Sequence, residues 1–322
     1  MIDALGRSID YLRISVIDRC SLRCTYCMPE QGIEWLPHDR ILRYEDLLRL
    51  CRIFISLGIT KFKITGGEPL VRKGVSDFIS ALRDIEGVQS ITLTTNGVDL
   101  RSQLPALLAA GISGVNLSLD TLDRDRFAAR TRRDCLPQVL DGMQAALAVQ
   151  ELNFKINCVS MAGCEDDWIA LAALARNDPV TVRFIELMPI GMGQQSTTCT
   201  ESEVAAVLER EFGKLTPYEE PLGNGPAHYF TLPGFIGRIG FISAVSHGFC
   251  DQCNRVRLTA SGYLKTCLQY DTGVDLSALL SQPDETIRDA MIKAIGRKPA
   301  SHQFASAAVE HGEKRIMSQI GG

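Results

Sequence analysis

Short runs rich in β-branched and apolar residues, at 11–17, 61–65, 90–95, 114–119, 154–160 and 181–188, alternate with stretches of helical periodicity at 44–57, 75–85, 104–109, 137–150 and 168–175. Several of the strand-like runs are continuously apolar, the mark of strands covered on both faces. Strands joined through helices run parallel with right-handed crossovers. The pattern predicts an α/β fold on a parallel sheet of about six β/α units. A doubly wound sheet and a barrel both satisfy it, and the units are too few for a complete eight-fold barrel. After about Pro217 the texture changes: Gly, Pro and short strand-like runs at 227–232, 235–243 and 255–264 precede a helical pattern at 285–295. The change predicts two parts, residues 1–217 and a smaller appended part, 218–322.

Thiols narrow the chemistry. Eleven Cys in 322 residues are too many and too odd a number for a disulfide framework in a chain this long. Residues 1–18 lack a basic segment followed by an apolar one, and no run approaches a membrane span. Both observations predict a cytoplasmic chain whose reduced thiols are free to ligate metal. The net charge of −4 argues against a nucleic-acid polymer as partner.

Two groups of cysteines have ligand spacing. Cys20, Cys24 and Cys27, spaced C-x3-C-x2-C, follow the first strand-like run directly. Three thiolates on one loop can hold three irons of a 4Fe–4S cubane and leave the fourth iron open. A structural zinc site asks for four protein ligands, and no nearby His completes this set. Cys250, Cys253 and Cys267 are spaced C-x2-C-x13-C. They suit either an iron–sulfur cluster or, with His247, a Cys3His zinc site. Thr65-Gly66-Gly67-Glu68-Pro69 ends the second strand-like run and reads alone as a turn. Cys51 and Cys158 fall in helix- and strand-like runs as core residues. Cys135, Cys164 and Cys199 receive no role, nor do His38, His228, His302 and His311.

The first Cys spacing, with an aromatic just before the last thiol, resembles the signature of the radical S-adenosylmethionine (SAM) superfamily. That resemblance implies a 4Fe–4S cluster on Cys20, Cys24 and Cys27 whose open iron is chelated by SAM. Reductive cleavage of SAM then yields a 5′-deoxyadenosyl radical. Tyr26 matches the aromatic near the adenine, and Gly67 lies in the site for the methionine amino group. A closer resemblance is carried by Asp10-Tyr11-Leu12-Arg13-Ile14-Ser15-Val16, by Phe249-Cys250-Asp251-Gln252-Cys253-Asn254-Arg255-Val256-Arg257-Leu258-Thr259, by Lys265-Thr266-Cys267-Leu268 and by the closing Met317-Ser318-Gln319-Ile320-Gly321-Gly322. Nearly end to end, the chain is similar to the MoaA family, the GTP 3′,8-cyclases of molybdenum cofactor biosynthesis.

The family resemblance implies a partial (β/α)6 TIM-like barrel with a C-terminal region covering its open side. It implies a second 4Fe–4S cluster on Cys250, Cys253 and Cys267, facing the GTP base. Ser118 and Met188 match SAM contacts. Arg13, Lys63, Thr94, Lys155, Arg255, Val256 and Arg257 match GTP contacts. Arg255, Arg257 and the terminal Gly321 and Gly322 match residues that assist catalysis. The reaction implied is abstraction of the 3′ hydrogen of GTP, addition of the carbon radical to guanine C8, and reduction to 3′,8-cyclo-7,8-dihydro-GTP. An external electron donor, transfer of product to cyclic pyranopterin monophosphate synthase and a homodimer accompany the resemblance. Rival readings are another radical SAM enzyme with an auxiliary cluster and a non-catalytic iron–sulfur carrier. In two places the chain departs from the family: Lys63 stands where Arg is usual, which removes a bidentate phosphate grip, and Ser21-Leu22 replaces Asn-Phe in the Cys loop.

Overall fold

The computed structural model describes residues 1–304 and 312–321. Its first six strands, β1 (Tyr11–Ser15), β2 (Lys61–Thr65), β3 (Ser90–Thr95), β4 (Gly114–Ser118), β5 (Asn153–Ser160) and β6 (Thr181–Glu186), lie side by side in chain order, all parallel. Between them run α1 (Tyr44–Ser56), α2 (Val75–Arg83), α3 (Leu100–Ala109), α4 (Arg124–Thr131), α5 (Leu136–Leu147) and α6 (Glu165–Asn177), with α7 (Glu201–Phe212) after β6. Each strand has one apolar set packed under the helices. Ile64, Leu93, Val115, Ile156 and Val182 are fully buried there with Phe54 of α1 and Leu107 of α3. The other strand face lines a cavity instead of solvent, and its residues are largely polar, so β1 and β2 alternate where a continuous apolar run is expected.

Five of the expected helices fall where the periodicity put them, within a turn at each end. Two more, α4 and α7, are not among those expected, although Val204, Val207 and Leu208 give α7 an apolar face. In α4 only Phe127 and Thr131 are buried, so its pattern is that of a polar loop. The start of α7 is written in its capping box instead: Thr200 accepts from the Glu203 backbone, and the Glu203 carboxylate accepts from the Thr200 backbone.

Residues beyond 217 extend the same sheet. β7 (Thr216–Tyr218), β8 (His228–Thr231) and β9 (Arg238–Ile242) form an antiparallel meander, and β9 lies parallel to β6. β10 (Arg255–Leu258) lies parallel to β1 at the opposite edge, followed by the antiparallel β11 (Tyr263–Lys265) and β12 (Gly273–Asp275). The run at 255–264 is thus two strands, broken by a turn at Gly262, whose φ of +89° favours glycine. The parallel order is β10-β1-β2-β3-β4-β5-β6-β9, and its two ends do not pair with each other. Residues 243–254 link those ends, closing an incomplete barrel. α8 (Asp284–Gly296) packs on α1 and β12, and α9 (Met317–Ile320) brings the C-terminus back to the cavity.

Candidate active site

A cavity of about 570 Å³ fills the barrel and reaches from one end of the strands to the other, within the range of small-molecule sites. Cys20, Cys24 and Cys27 line it beyond the C-terminal end of β1. Cys253 precedes β10, which runs parallel to β1, and Cys267 follows the antiparallel β11. The second triad therefore faces the same cavity from the opposite end. A five-residue strand spans roughly 17 Å between them.

Backbone close approach fixes the first triad. Gly67 N donates to Ile17 O at 2.7 Å and Glu68 N to Arg19 O at 2.8 Å. A Cβ on Gly67 would lie 2.4 Å from Arg19 O and 2.5 Å from Asp18 O. The Gly-Gly pair is thus the seat of the segment entering the Cys loop. Glu68 is buried and accepts from Asn96 N at 2.6 Å, Thr95 Oγ1 at 2.8 Å and Leu70 N at 3.0 Å. Burial still pushes its carboxyl up to about 7. Asn96 carries the tie onward, donating to Ser21 Oγ at 3.0 Å and Cys20 Sγ at 3.7 Å. Burial raises Cys20 to about 11 and Cys27 to about 12, and Cys24 also lies well above its ordinary value.

Tyr26 Oη donates to Asp120 Oδ2 at 2.9 Å, and Val159 N donates to Asp120 Oδ1 at 2.9 Å. Ser118, at the end of β4, and Met188, just beyond β6, line the same end of the cavity. The buried Glu186 accepts from Val245 N at 2.7 Å and Ser246 N at 2.8 Å. It thereby ties β6 to the segment carrying Cys250.

Basic side chains occupy the middle. The third residue of β1, β2, β5, β6 and β10 is basic in every case: Arg13, Lys63, Lys155, Arg183 and Arg257. In the sheet register Arg13 lies directly between Lys63 and Arg257, and Arg255 also lines the cavity. Like charges so placed repel. Burial, then the neighbouring cations, lowers Lys63 well below its ordinary value and Lys155 to about 7. Burial likewise lowers Arg13 to about 10, with Arg255 and Arg183 adding to the effect and Tyr11 opposing it. Arg257 is lowered as well. Thr94 adds a hydroxyl to the lining. Val256 points its side chain into the core, so the cavity meets only its strand neighbours Arg255 and Arg257.

At the second triad, His302 N donates to Cys250 Sγ at 3.4 Å. Burial would raise Cys253, but Lys298 and Arg255 outweigh it and hold that thiol down to about 7. His302 lines the cavity, stacked on Phe304, and neither ring nitrogen has a hydrogen-bond partner among the described residues. His302, given no role from sequence, thus stands in the cavity lining. His247 instead bonds Ser246 Oγ at 2.9 Å and faces Glu201, away from the cavity lining. A zinc site completed by His247 thus loses its fourth ligand. Arg257 Nη1 donates to Gly321 O at 2.6 Å, placing the C-terminus beside β1 and β2; Gly322 lies outside the described residues, as does His311.

Arg183, Glu68, Asn96, Asp120 and Glu186 join the site although sequence reasoning passed over them as site residues. The repeated third-position cation was the available signal for Arg183. For Asp120 and Glu186 the signal was their place at the carboxyl ends of β4 and β6, though their partners lie on distant loops.

The donor chemistry fits an iron–sulfur cluster at the first triad. Three buried thiols are costly to ionise alone and ionise readily around a strongly positive centre. Among the described residues, no three His, Cys, Asp or Glu converge on a single-ion position. A cubane needs no such convergence, since each thiolate takes its own iron.

Comparison with known proteins agrees with this geometry. Residues 14–173 match the Radical SAM superfamily, and residues 180–304 match Molybdenum Cofactor Synthesis C. The fold is also that of SuiB from Streptococcus suis, solved with S-adenosylmethionine, at a TM-score of 0.63 and 15% identity over 90% of this chain and 68% of that one. The class is therefore a radical SAM protein with an extended C-terminal region. A GTP 3′,8-cyclase of Pelotomaculum thermopropionicum is 44% identical over 328 residues, covering 100% of both chains. One from Geobacter sulfurreducens is 44% identical over 326 residues, covering 100% of this chain and 99% of its own. The chain belongs to the GTP 3′,8-cyclase family.

Proposed function

We propose that this protein converts GTP to 3′,8-cyclo-7,8-dihydro-GTP, the first step of molybdenum cofactor biosynthesis, with SAM as co-substrate and two 4Fe–4S clusters. The observation that carries the proposal is the placement of six basic side chains between two thiol triads in one cavity. Such a lumen suits a polyanion whose other end must meet chemistry at the thiols. When bound, the first cluster and SAM supply the electron and the organic radical that begin the reaction at the ribose.

The residues of the chain bind and orient. Cys20, Cys24 and Cys27 hold the first cluster, and Tyr26, Gly67, Ser118 and Met188 seat SAM beside it. Arg13, Lys63, Lys155 and Arg183 neutralise phosphate oxygens, and Thr94 adds a donor. Arg255 and Arg257 orient the nucleotide toward a second cluster on Cys250, Cys253 and Cys267, with Val256 contributing backbone. Arg257 also holds the carbonyl of Gly321, and we assign the closing Gly321 and Gly322 a part in catalysis. Residues 1–217 thus carry the SAM side and 218–322 the second cluster and guanine side. Enclosure by the barrel keeps water and oxygen from reactive intermediates.

The reading includes an external electron donor, transfer of product to cyclic pyranopterin monophosphate synthase, a cytoplasmic location and a homodimer. Among the described residues no helix is long and apolar enough to cross a membrane. A carrier of iron–sulfur clusters would have no use for the cationic lumen. Anaerobic reconstitution followed by SAM, reductant and GTP tests the assignment. Formation of 5′-deoxyadenosine with GTP consumption and about eight irons per chain is expected. Formation of 5′-deoxyadenosine without GTP loss would overturn the substrate; about four irons together with zinc would overturn the second cluster.

A further inference from the structure

Behind the second triad lies a five-residue segment, Lys298-Pro299-Ala300-Ser301-His302, to which no role has been attached so far except the amide and ring of His302. Lys298 is buried, with 6% of its surface exposed, just beyond α8. Its Nζ donates to Arg255 O at 3.0 Å and to Thr266 O. Its charge also lies near enough to the Cys253 thiol to help hold it down. Both bonds go to the backbone beside the triad, one next to Cys253 and one next to Cys267. Arg255 lies two residues after Cys253, and Thr266 immediately precedes Cys267. One charge therefore fixes the separation of two ligands that lie on different strands.

Arg7 fixes Lys298 in turn. Its guanidinium donates to Lys298 O at 3.2 Å, Ala300 O at 3.2 Å and Cys250 O at 3.1 Å, and its Nε pairs with the buried Asp3 Oδ2 at 2.6 Å. Cys250 is thus tied to His302 and Arg7, and the backbone beside Cys253 and Cys267 is tied to Lys298. Nothing in this arrangement reaches the first triad.

We propose that Lys298, anchored by Arg7, is the positioning residue of the second thiol triad and sets the electron affinity of the cluster held there. A buried cation beside the ligating sulfurs stabilises the added electron, so its removal makes the cluster harder to reduce. Partners of this kind change metal affinity by about ten- to hundredfold. The inference rests on the reading that the second triad holds a cluster.

The test compares full-length wild type, Lys298→Met and Lys298→Arg after identical anaerobic reconstitution. Iron and sulfide content, chelator-driven cluster release and an EPR-monitored redox titration are measured, with no turnover required. Lys298→Met is expected to release the second cluster about ten- to hundredfold faster and to shift its midpoint to a more negative potential. The first cluster, followed by SAM-dependent changes in its EPR signal, stays unchanged. Lys298→Arg restores the midpoint because the charge remains. If Lys298→Met fails to fold, Lys298→Gln takes its place and the same comparison with Lys298→Arg decides. A wild type holding one cluster would overturn the two-cluster reading. Two clusters in every variant, with equal midpoints and release rates, would overturn the role of Lys298 alone.

Discussion

Lys155 offers the sharpest test of the cationic lumen. Burial, with Arg183 as the neighbouring charge, lowers its amine from 10.5 to about 7. At about 1.36 kcal/mol per unit, the protonated form is disfavoured by on the order of 5 kcal/mol. The sign follows from linkage. In the free protein this cost is absent above 10.5, grows as pH falls, and is complete below 7. A polyphosphate beside Nζ removes it by restoring the ordinary basicity, so GTP binding at pH above 7 must draw a proton from solvent. At pH 8 the free amine is about nine-tenths neutral, and binding should take up about 0.9 proton at this site. Affinity should fall with rising pH by up to about tenfold per unit. Calorimetry of GTP binding in buffers of different ionisation enthalpy reads the uptake directly. Lys63 is lowered too and contributes its own share, so the measurement is the difference between wild type and Lys155→Met. Equal uptake in the two proteins would refute the argument. Lys155→Arg, which stays charged, should bind with less pH dependence.

Three other perturbations follow from the same geometry. Gly67→Ala places a Cβ 2.4 Å from Arg19 O, and because backbone cannot step aside cheaply it should cost about 1–3 kcal/mol. Thermal denaturation and iron content after reconstitution both report it, and wild-type values in both would contradict the seating of the Cys loop on Gly67. Lys63→Arg restores a planar fork where the lumen now has a point charge; KM for GTP should drop several-fold with kcat nearly constant, and a change confined to kcat would argue against a phosphate contact. Removing Gly321 and Gly322 deletes the carbonyl that Arg257 holds at 2.6 Å. Cyclisation should cease while the iron of both clusters stays at wild-type levels, and undiminished product would eliminate a catalytic terminus.

The sequence made the repeated layer of the fold legible, because β2 and β3 place apolar residues at every second position and are flanked by clear helical faces. It also made the two thiol triads legible, since their spacing is local. What escaped was set by partners far along the chain. Glu68 looked like part of a turn, yet its carboxylate binds the backbone amide of Asn96, 28 residues on. Arg7 belongs to no motif, and it spans 291 residues to reach Lys298 O. His302 was passed over because the residue that gives its position meaning, Cys250, lies 52 residues before it. Helix α4 escaped for the opposite reason, since its one strongly apolar residue, Phe127, leaves no period to read.

Topology also explains why the second triad had to come from outside the repeat. In the β/α series, the segments after each strand lie at the end of the barrel where Cys20, Cys24 and Cys27 sit. The segments returning to β2 through β6 at the other end are short, three to six residues each. None has room for a cysteine loop and the backbone that must surround it. A strand entering the sheet from elsewhere is free of that limit. Residues 243–254 provide twelve residues between β9 and β10, and they deliver Cys250 and Cys253 to the start of a strand parallel to β1. Because Arg255 and Arg257 follow on that same strand, the second triad and the cations beside it are placed by one element. A substrate spanning the two ends must therefore pass the basic layer, and that constraint comes from the order of strands before any side chain is considered.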